Sequence, residues 1–262
     1  MPSQIYVNTD SNHFSLHSLQ WDSEFFETPS YRLEVCSEPG SESSDLKEFL
    51  SKECFISAKL DTFEQACESE ALMSLGFQYV GTQVVLEKGL QKEQIEEGDT
   101  FQNPAMTSHA VRVEKVISLE NLPLKELGGV YTRTRFHMDP AISKAKADDL
   151  WVEYLRNFKF GSDRDLYVAK IGDDVAGCIA TLDQDNLTYL FLVSILPGFQ
   201  GRGVGQALVL EIVKDNPGKT LRTGTQICNV AALNFYMKCG FKKVVGTQNM
   251  LHYWNSNQGE SK

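Results

Sequence analysis

The chain is predicted to be an α/β (α+β) protein in two domains, and three observations lead there. Short apolar, β-branched runs alternate with amphipathic stretches over most of its length. A polar tract at residues 88–110 (KGLQKEQIEEGDTFQNPAMTSHA) interrupts that alternation and reads as an interdomain linker. One apolar strand runs directly into a glycine-rich bend and a helix start at residues 188–205 (TYLFLVSILPGFQGRGVG). With 262 residues, 42% of them hydrophobic, the chain has enough apolar side chain for a core in each part. The expected division is residues 1–88, a linker over 89–110, and residues 111–262.

In the first part, Trp21, Phe25 and Phe26 form an aromatic knot, and residues 31–35 form a strand. A polar loop at 41–45 leads to a short helix at 46–52 and a buried strand at 54–60. A helix over 62–73 ends at Gly76, and a strand follows at 78–86. The second part opens with a strand at 111–119 and helices at 121–130 and 150–158. Strands at 165–170 and 175–182 join at the turn Gly172-Asp173-Asp174. Then come strand 189–196, helix 206–214, strand 220–226, helix 230–238 and strand 241–253. Residues 75–83 (LGFQYVGTQ) resemble residues 239–248 (CGFKKVVGTQ) with one inserted residue, which leaves two readings: a chance likeness of two helix–strand junctions, or a first part that is a reduced copy of the second. Leu72 stands four residues before Gly76 where Tyr236 stands before Gly240.

Composition narrows the function. A net charge of −10 argues against nucleic acid or an anionic membrane surface as the main partner. No leader pattern opens the chain and no apolar run reaches spanning length, so a soluble cytoplasmic protein is expected. Six scattered cysteines read as reduced thiols, and no His/Cys/Asp cluster has metal-ligand spacing, so no metal is expected.

The chemistry concentrates at two runs. Glycines at 201, 203 and 205 let backbone amides converge at a helix N-terminus, where the helix dipole favours phosphate oxygens, and Arg202 adds a mobile charge. The spacing is not that of a P-loop, and it is shorter than the dinucleotide fingerprint. Downstream, Asn229 is placed to cap the helix over 230–238. Tyr236 lies two turns on, on the same helical face. Its phenol, protonated at neutral pH, is able to donate a proton.

The Q-x-x-G-x-G of residues 200–205, after a strand that ends at Pro197, resembles the pyrophosphate loop of the GNAT superfamily of N-acetyltransferases. N-x-x-A-x-x-x-Y-x-x-x-G-F at 229–241 resembles that superfamily's second signature. The resemblance implies a mixed, mostly antiparallel central sheet, with a truncated GNAT-like first domain. It implies that the pyrophosphate of acetyl-CoA sits on Gln200, Gly201, Arg202, Gly203, Val204 and Gly205, with Asn229 near the pantetheine. It further implies backbone donors to the acyl oxygen at Val193 and Ile195, and Tyr236 as general acid. Four segments, LRTGTQICNVAALNFYMKCG, GTQNMLHYW, WDSEFF and SLGFQYVGTQ, resemble the dTDP-fucosamine acetyltransferase group. That likeness implies a homodimer that acetylates the amine of a dTDP-4-amino-4,6-dideoxy sugar for a cell-surface glycan.

Direct attack requires a neutral amine, and the base that takes its proton is left unassigned. His137 has a suitable ordinary pKa, with Asp139 close in sequence, while a surface loop histidine without that role is the commoner and preferred reading. Arg133 and Arg135 are candidates to clamp an acceptor diphosphate, or a solvated pair at a helix end. Acetylation of a protein N-terminus, an amino acid or another small amine stays open, as does a non-catalytic CoA-binding sensor.

Overall fold

The computed structural model describes residues 4–9, 11–38, 43–89 and 111–256. The expected linker over 89–110 lies outside these apart from Gly89. In chain order the described elements are β1 Gln4–Asn8, β2 His13–Ser18, α1 Gln20–Phe26, β3 Ser30–Cys36, β4 Ser43–Asp45, α2 Leu46–Leu50, β5 Cys54–Asp61, α3 Ala66–Ser74 and β6 Gln78–Lys88. After the gap come β7 Val111–Val116, α4 Leu124–Gly128, α5 Arg135–Met138, α6 Lys144–Arg156, β8 Arg164–Ile171, β9 Asp174–Gln184 and β10 Leu187–Ile195. A 3-10 turn at Pro197–Phe199 precedes α7 Val204–Asp215, β11 Thr220–Gln226, α8 Val230–Lys238 and β12 Lys243–Asn255.

The chain forms two compact units, and they are not two consecutive blocks. One holds residues 1–83, 138–142 and 247–262; the other holds 84–137 and 143–246. The expected division at the linker differs from this in three places. Val84–Lys88 of β6 belong with the second part of the sequence, whereas residues 138–142 and the last nine residues of β12 belong with the first. The reason is strand pairing: β12 pairs antiparallel with β5, from Gln248↔Asp61 to Asn255↔Cys54, and β6 lies beside β11.

In the first unit the strand order is β4-β1-β2-β3-β5-β12-β6. β1 and β2, absent from the sequence reading, pair antiparallel from Gln4↔His17 to Asn8↔His13. Phe14, Leu16, Leu33, Ile56, Leu60, Leu72 and Leu251 make its core, each at most 1% exposed. Burying one such side chain contributes roughly 1.5–3 kcal/mol. Residues 138–142 are held by Asp139, whose carboxylate accepts from His252 Nδ1 at 2.7 Å and Trp254 Nε1 at 2.8 Å.

In the second unit the order is β6-β11-β10-β9-β8-β7. Residues on β8 and β9 alternate between two cores, as the two-residue period of a strand requires. Leu166 and Val168 of β8 face one with Leu127 and Leu155, while Tyr167 and Ala169 face the other with Leu208, Ile212 and Tyr236. α6 begins at Lys144, six residues before the expected start, because Ser143 Oγ accepts from Lys146 N at 3.2 Å and caps it. The two units share a strand plan. β3 pairs antiparallel with β2 and parallel with β5 over four residues, as β10 does with β9 and β11.

Candidate active site

β10 organises the site. Its parallel ladder with β11 runs from Leu187↔Thr220 to Leu190↔Thr223 and extends no further. On the other side, Leu190 stands opposite Thr181 and Leu192 opposite Ala180, so Phe191 is an extra residue, a β-bulge. The bulge reverses the faces: Leu190 packs in the core with Tyr236, whereas Phe191 and Leu192 both pack in the core with Leu127. It also bends β10 where its pairing with β11 stops. Thr223 Oγ1 donates to the Leu190 carbonyl at 3.0 Å and finishes the ladder there.

Past the bulge, Leu196 N–H donates to Ala176 O of the neighbouring strand at 2.9 Å. Amides alternate along a strand, so those of Ser194 and Leu192 turn the same way, and those of Val193 and Ile195 turn toward the side β11 has left. The two amides expected from the sequence thus face an opening in the sheet. Tyr236, on α8, is 5% exposed with its phenol beside Thr223. Burial pushes that phenol up to about 12, against a smaller lowering by Thr223, with Tyr189 and Cys239 adding to the rise.

The bend after β10 is built as its composition requires. Gln200 Nε2 donates back to Ile195 O at 3.1 Å. Gly203 is the N-cap of α7 at φ 79°, a left-handed conformation that side-chain-bearing residues resist, and no side chain caps the helix. The first intrahelical bond is Ala207 N–H to Gly203 O, so the amides of Val204 and Gly205 have no acceptor within the helix. A Cβ on Gly205 would stand 2.6 Å from the Phe235 ring, so α7 and α8 meet closely there. The Arg202 guanidinium lies over the Phe199 ring at 5.6 Å, and Gly201 has open space beside it. Asn229 Oδ1 accepts from Ala232 N at 3.1 Å as the N-cap of α8. These residues fit a diphosphate at α7 and an acyl group at the opening in the sheet.

Among the acceptor candidates, Arg133 is exposed and Arg135 folds over the Phe136 ring at 4.6 Å. His137 has both ring nitrogens engaged, Nδ1 with Thr134 Oγ1 at 2.8 Å and Nε2 with Asp148 at 3.1 Å. It staples α5 to α6. Sequence reading missed Tyr131 and Trp151, whose rings stack at 4.7 Å. Tyr131 Oη and Trp151 Nε1 are both buried without a hydrogen-bond partner. No local pattern marks them, because Tyr131 follows α4 in a loop and Trp151 reads as one apolar position of α6. It also missed Glu87, which accepts from Arg222 Nε at 2.8 Å.

Residues 133–241 match the Acetyltransferase (GNAT) family. This part of the chain matches a GNAT acetyltransferase domain. Over 114 residues the chain is 30% identical to the spore coat polysaccharide biosynthesis protein SpsD of Bacillus subtilis (strain 168), a match covering 42% of this chain and 39% of that protein. The chain therefore spans about two fifths of the length of the curated relative it matches. Two solved structures share the fold over nearly the whole chain. One is a functionally unknown conserved protein from Staphylococcus epidermidis ATCC 12228, with TM-score 0.62 and 13% identity, covering 97% of this chain and 95% of that one. The other is a tandem GNAT protein from the clavulanic acid biosynthesis pathway, with TM-score 0.57 and 11% identity, covering 93% and 78%. The bulge, the glycine bend and Tyr236 all fall within the matched GNAT domain. Among the described residues no helix is long and apolar enough to cross a membrane.

Proposed function

We propose that the protein is an acetyl-CoA-dependent N-acetyltransferase whose acceptor is the amine of a nucleotide-linked sugar, a dTDP-4-amino-4,6-dideoxyhexose destined for a cell-surface glycan. The observation that carries the acyl-transfer reading is the end of the β10–β11 ladder at Leu190↔Thr223, which leaves the Val193 and Ile195 amides facing an opening beside Tyr236. The acyl donor supplies an activated carbonyl carbon: the amine nitrogen bonds to it, the carbon–sulfur bond breaks, and the thiolate leaves. The protein holds the diphosphate with the amides of residues 203–205 and Arg202. It turns rigid amide donors toward the acyl oxygen, where charge grows, at no cost of reorganisation. Tyr236 hands a proton to the departing sulfur and is restored by the proton the amine gives up.

The sugar acceptor rests on two supports: the likeness to SpsD, which is named for polysaccharide biosynthesis, and the sequence resemblance to the dTDP-fucosamine acetyltransferase group. The same resemblance supports a homodimer, and the scattered cysteines support a cytoplasmic protein. A free-thiol assay with acetyl-CoA against dTDP- and UDP-amino sugars tests the reading. Thiol release is expected with a dTDP-4-amino sugar; release only with peptide or amino-acid amines would replace the acceptor, and none with any amine would remove the catalytic reading.

A further inference from the structure

Building on the acyl-transfer reading above, we propose that the Tyr131 hydroxyl is a second donor to the thioester carbonyl oxygen, beside the amide of Val193. A buried tyrosine hydroxyl ordinarily finds a hydrogen-bond partner, and one left without a partner costs stability. Tyr131 Oη is buried with none. The Val193 amide lies beside the phenol oxygen. An amide N–H and a phenol O–H therefore lie side by side, and the hydroxyl proton has no acceptor. A carbonyl oxygen that gains negative charge would satisfy both donors.

The placement of Tyr131 is over-determined. Its ring stacks on Trp151 at 4.7 Å with the planes 27° apart. α4, which precedes it, is fastened to β10 by Ser194 Oγ donating to Leu127 O at 2.7 Å, a buried bond one residue past Val193. Tyr131 N–H donates back to Gly128 O at 3.3 Å. The same short run of β10 thus sets both the Val193 amide and the helix that delivers Tyr131. Burial, with Cys178 and Tyr236 nearby, keeps the phenol in its protonated, donating form. Tyr131 forms and breaks no covalent bond. Its proton stays on oxygen while the carbon–nitrogen bond forms and the carbon–sulfur bond breaks. Packing alone does not call for the hydroxyl, since a phenylalanine ring fills the same stack.

The test compares the full-length protein with Tyr131→Phe, using calorimetry with two unreactive analogues: S-(2-oxopropyl)-CoA, which carries a carbonyl, and S-propyl-CoA, which does not. The wild type is expected to favour the ketone. In the variant, affinity for the ketone should fall about tenfold, equivalent to about 1.4 kcal/mol, with S-propyl-CoA affinity unchanged. The free variant should also melt about 2–4 °C higher, because an unsatisfied buried hydroxyl has gone. Undiminished preference for the ketone in the variant, or equal loss of both analogues, would overturn the role of Tyr131 and leave the acyl-transfer reading standing. If the wild type binds neither analogue, that reading fails and takes the proposal with it.

Discussion

As the proposed general acid, Tyr236 shows how one buried side chain would constrain the pH behaviour of the reaction. With its phenol pushed up to about 12, the donating form persists across the whole working range. A donor whose pKa is raised is lost only as pH climbs through the raised value, so no alkaline limb should appear in kcat up to pH 10. Tyr236→Phe should lower kcat about 10²–10⁴-fold, the usual range for a lost acid–base group, while calorimetry finds acetyl-CoA affinity nearly unchanged. An intact kcat in that variant would remove the phenol from proton transfer. Asp139 runs the other way. Burial alone would raise its carboxyl, but the bonds from His252 and Trp254, the His252 charge and the Ala141 amide more than offset it and hold it below the ordinary value. A lowered carboxyl contributes stability that is fully present above the unfolded value of about 3.9 and is lost as pH falls through the folded one. Asp139→Asn removes a buried carboxylate that accepts from His252 and Trp254 and should cost about 1–3 kcal/mol at pH 7. Thermal melts should show that gap narrowing toward pH 3; a constant gap would mean the pair carries no pH-linked stability.

Helices and strands differ in how openly the chain declares them. Residues 220–226 and 230–238 were readable with their ends, because Asn229 caps one helix and the strand, rich in threonine, buries Leu221 and Thr223 two residues apart. The bend of residues 200–205 was equally plain, since three glycines in six positions leave few other uses. The bulge at Phe191 was not. A run as uniformly apolar as residues 189–196 has no alternation to break, so a one-residue face reversal leaves no trace in it. Tyr131 escaped for a related reason: its meaning lies in a missing partner, which only three dimensions reveal. β1 and β2 escaped because polar residues such as Asn8, His13 and Ser15 hide a short hairpin. The contact between α7 and α8 gives an element-scale prediction. Gly205→Ala places a methyl 2.6 Å from the Phe235 ring and must push the helices apart, costing about 1–3 kcal/mol. Because the amides of the bend ride on α7, acetyl-CoA affinity should fall with the melting temperature. Gly201→Ala, with open space beside it, should carry only the backbone cost of its φ of 75°. Equal losses in the two variants would show that helix packing does not position the bend.

At the scale of the molecule, the sequence repeat and the unit boundaries disagree in an informative way. α3 and α8 end alike: Phe77 N–H donates to Leu72 O at 3.1 Å and Phe241 N–H to Tyr236 O at 3.0 Å. The strands that follow, β6 and β12, each begin in one unit and end in the other. A cut at the polar tract is therefore not a cut between folding units. Residues 111–256 alone would lack Val84 and Leu86 from the core that holds Tyr236, and would leave Arg222 without Glu87. They would also carry residues 138–142 and 247–256 away from the unit in which Asp139, His252 and Trp254 are buried together. That fragment is expected to be insoluble or molten when expressed alone, and inactive in the thiol assay. Co-expression with residues 1–89 should restore a soluble, active pair that purifies together, since every described element of both units is then present. A fragment of residues 111–256 that folds and turns over by itself would show that the exchanged strands are dispensable and that the first part of the chain is a separable appendage.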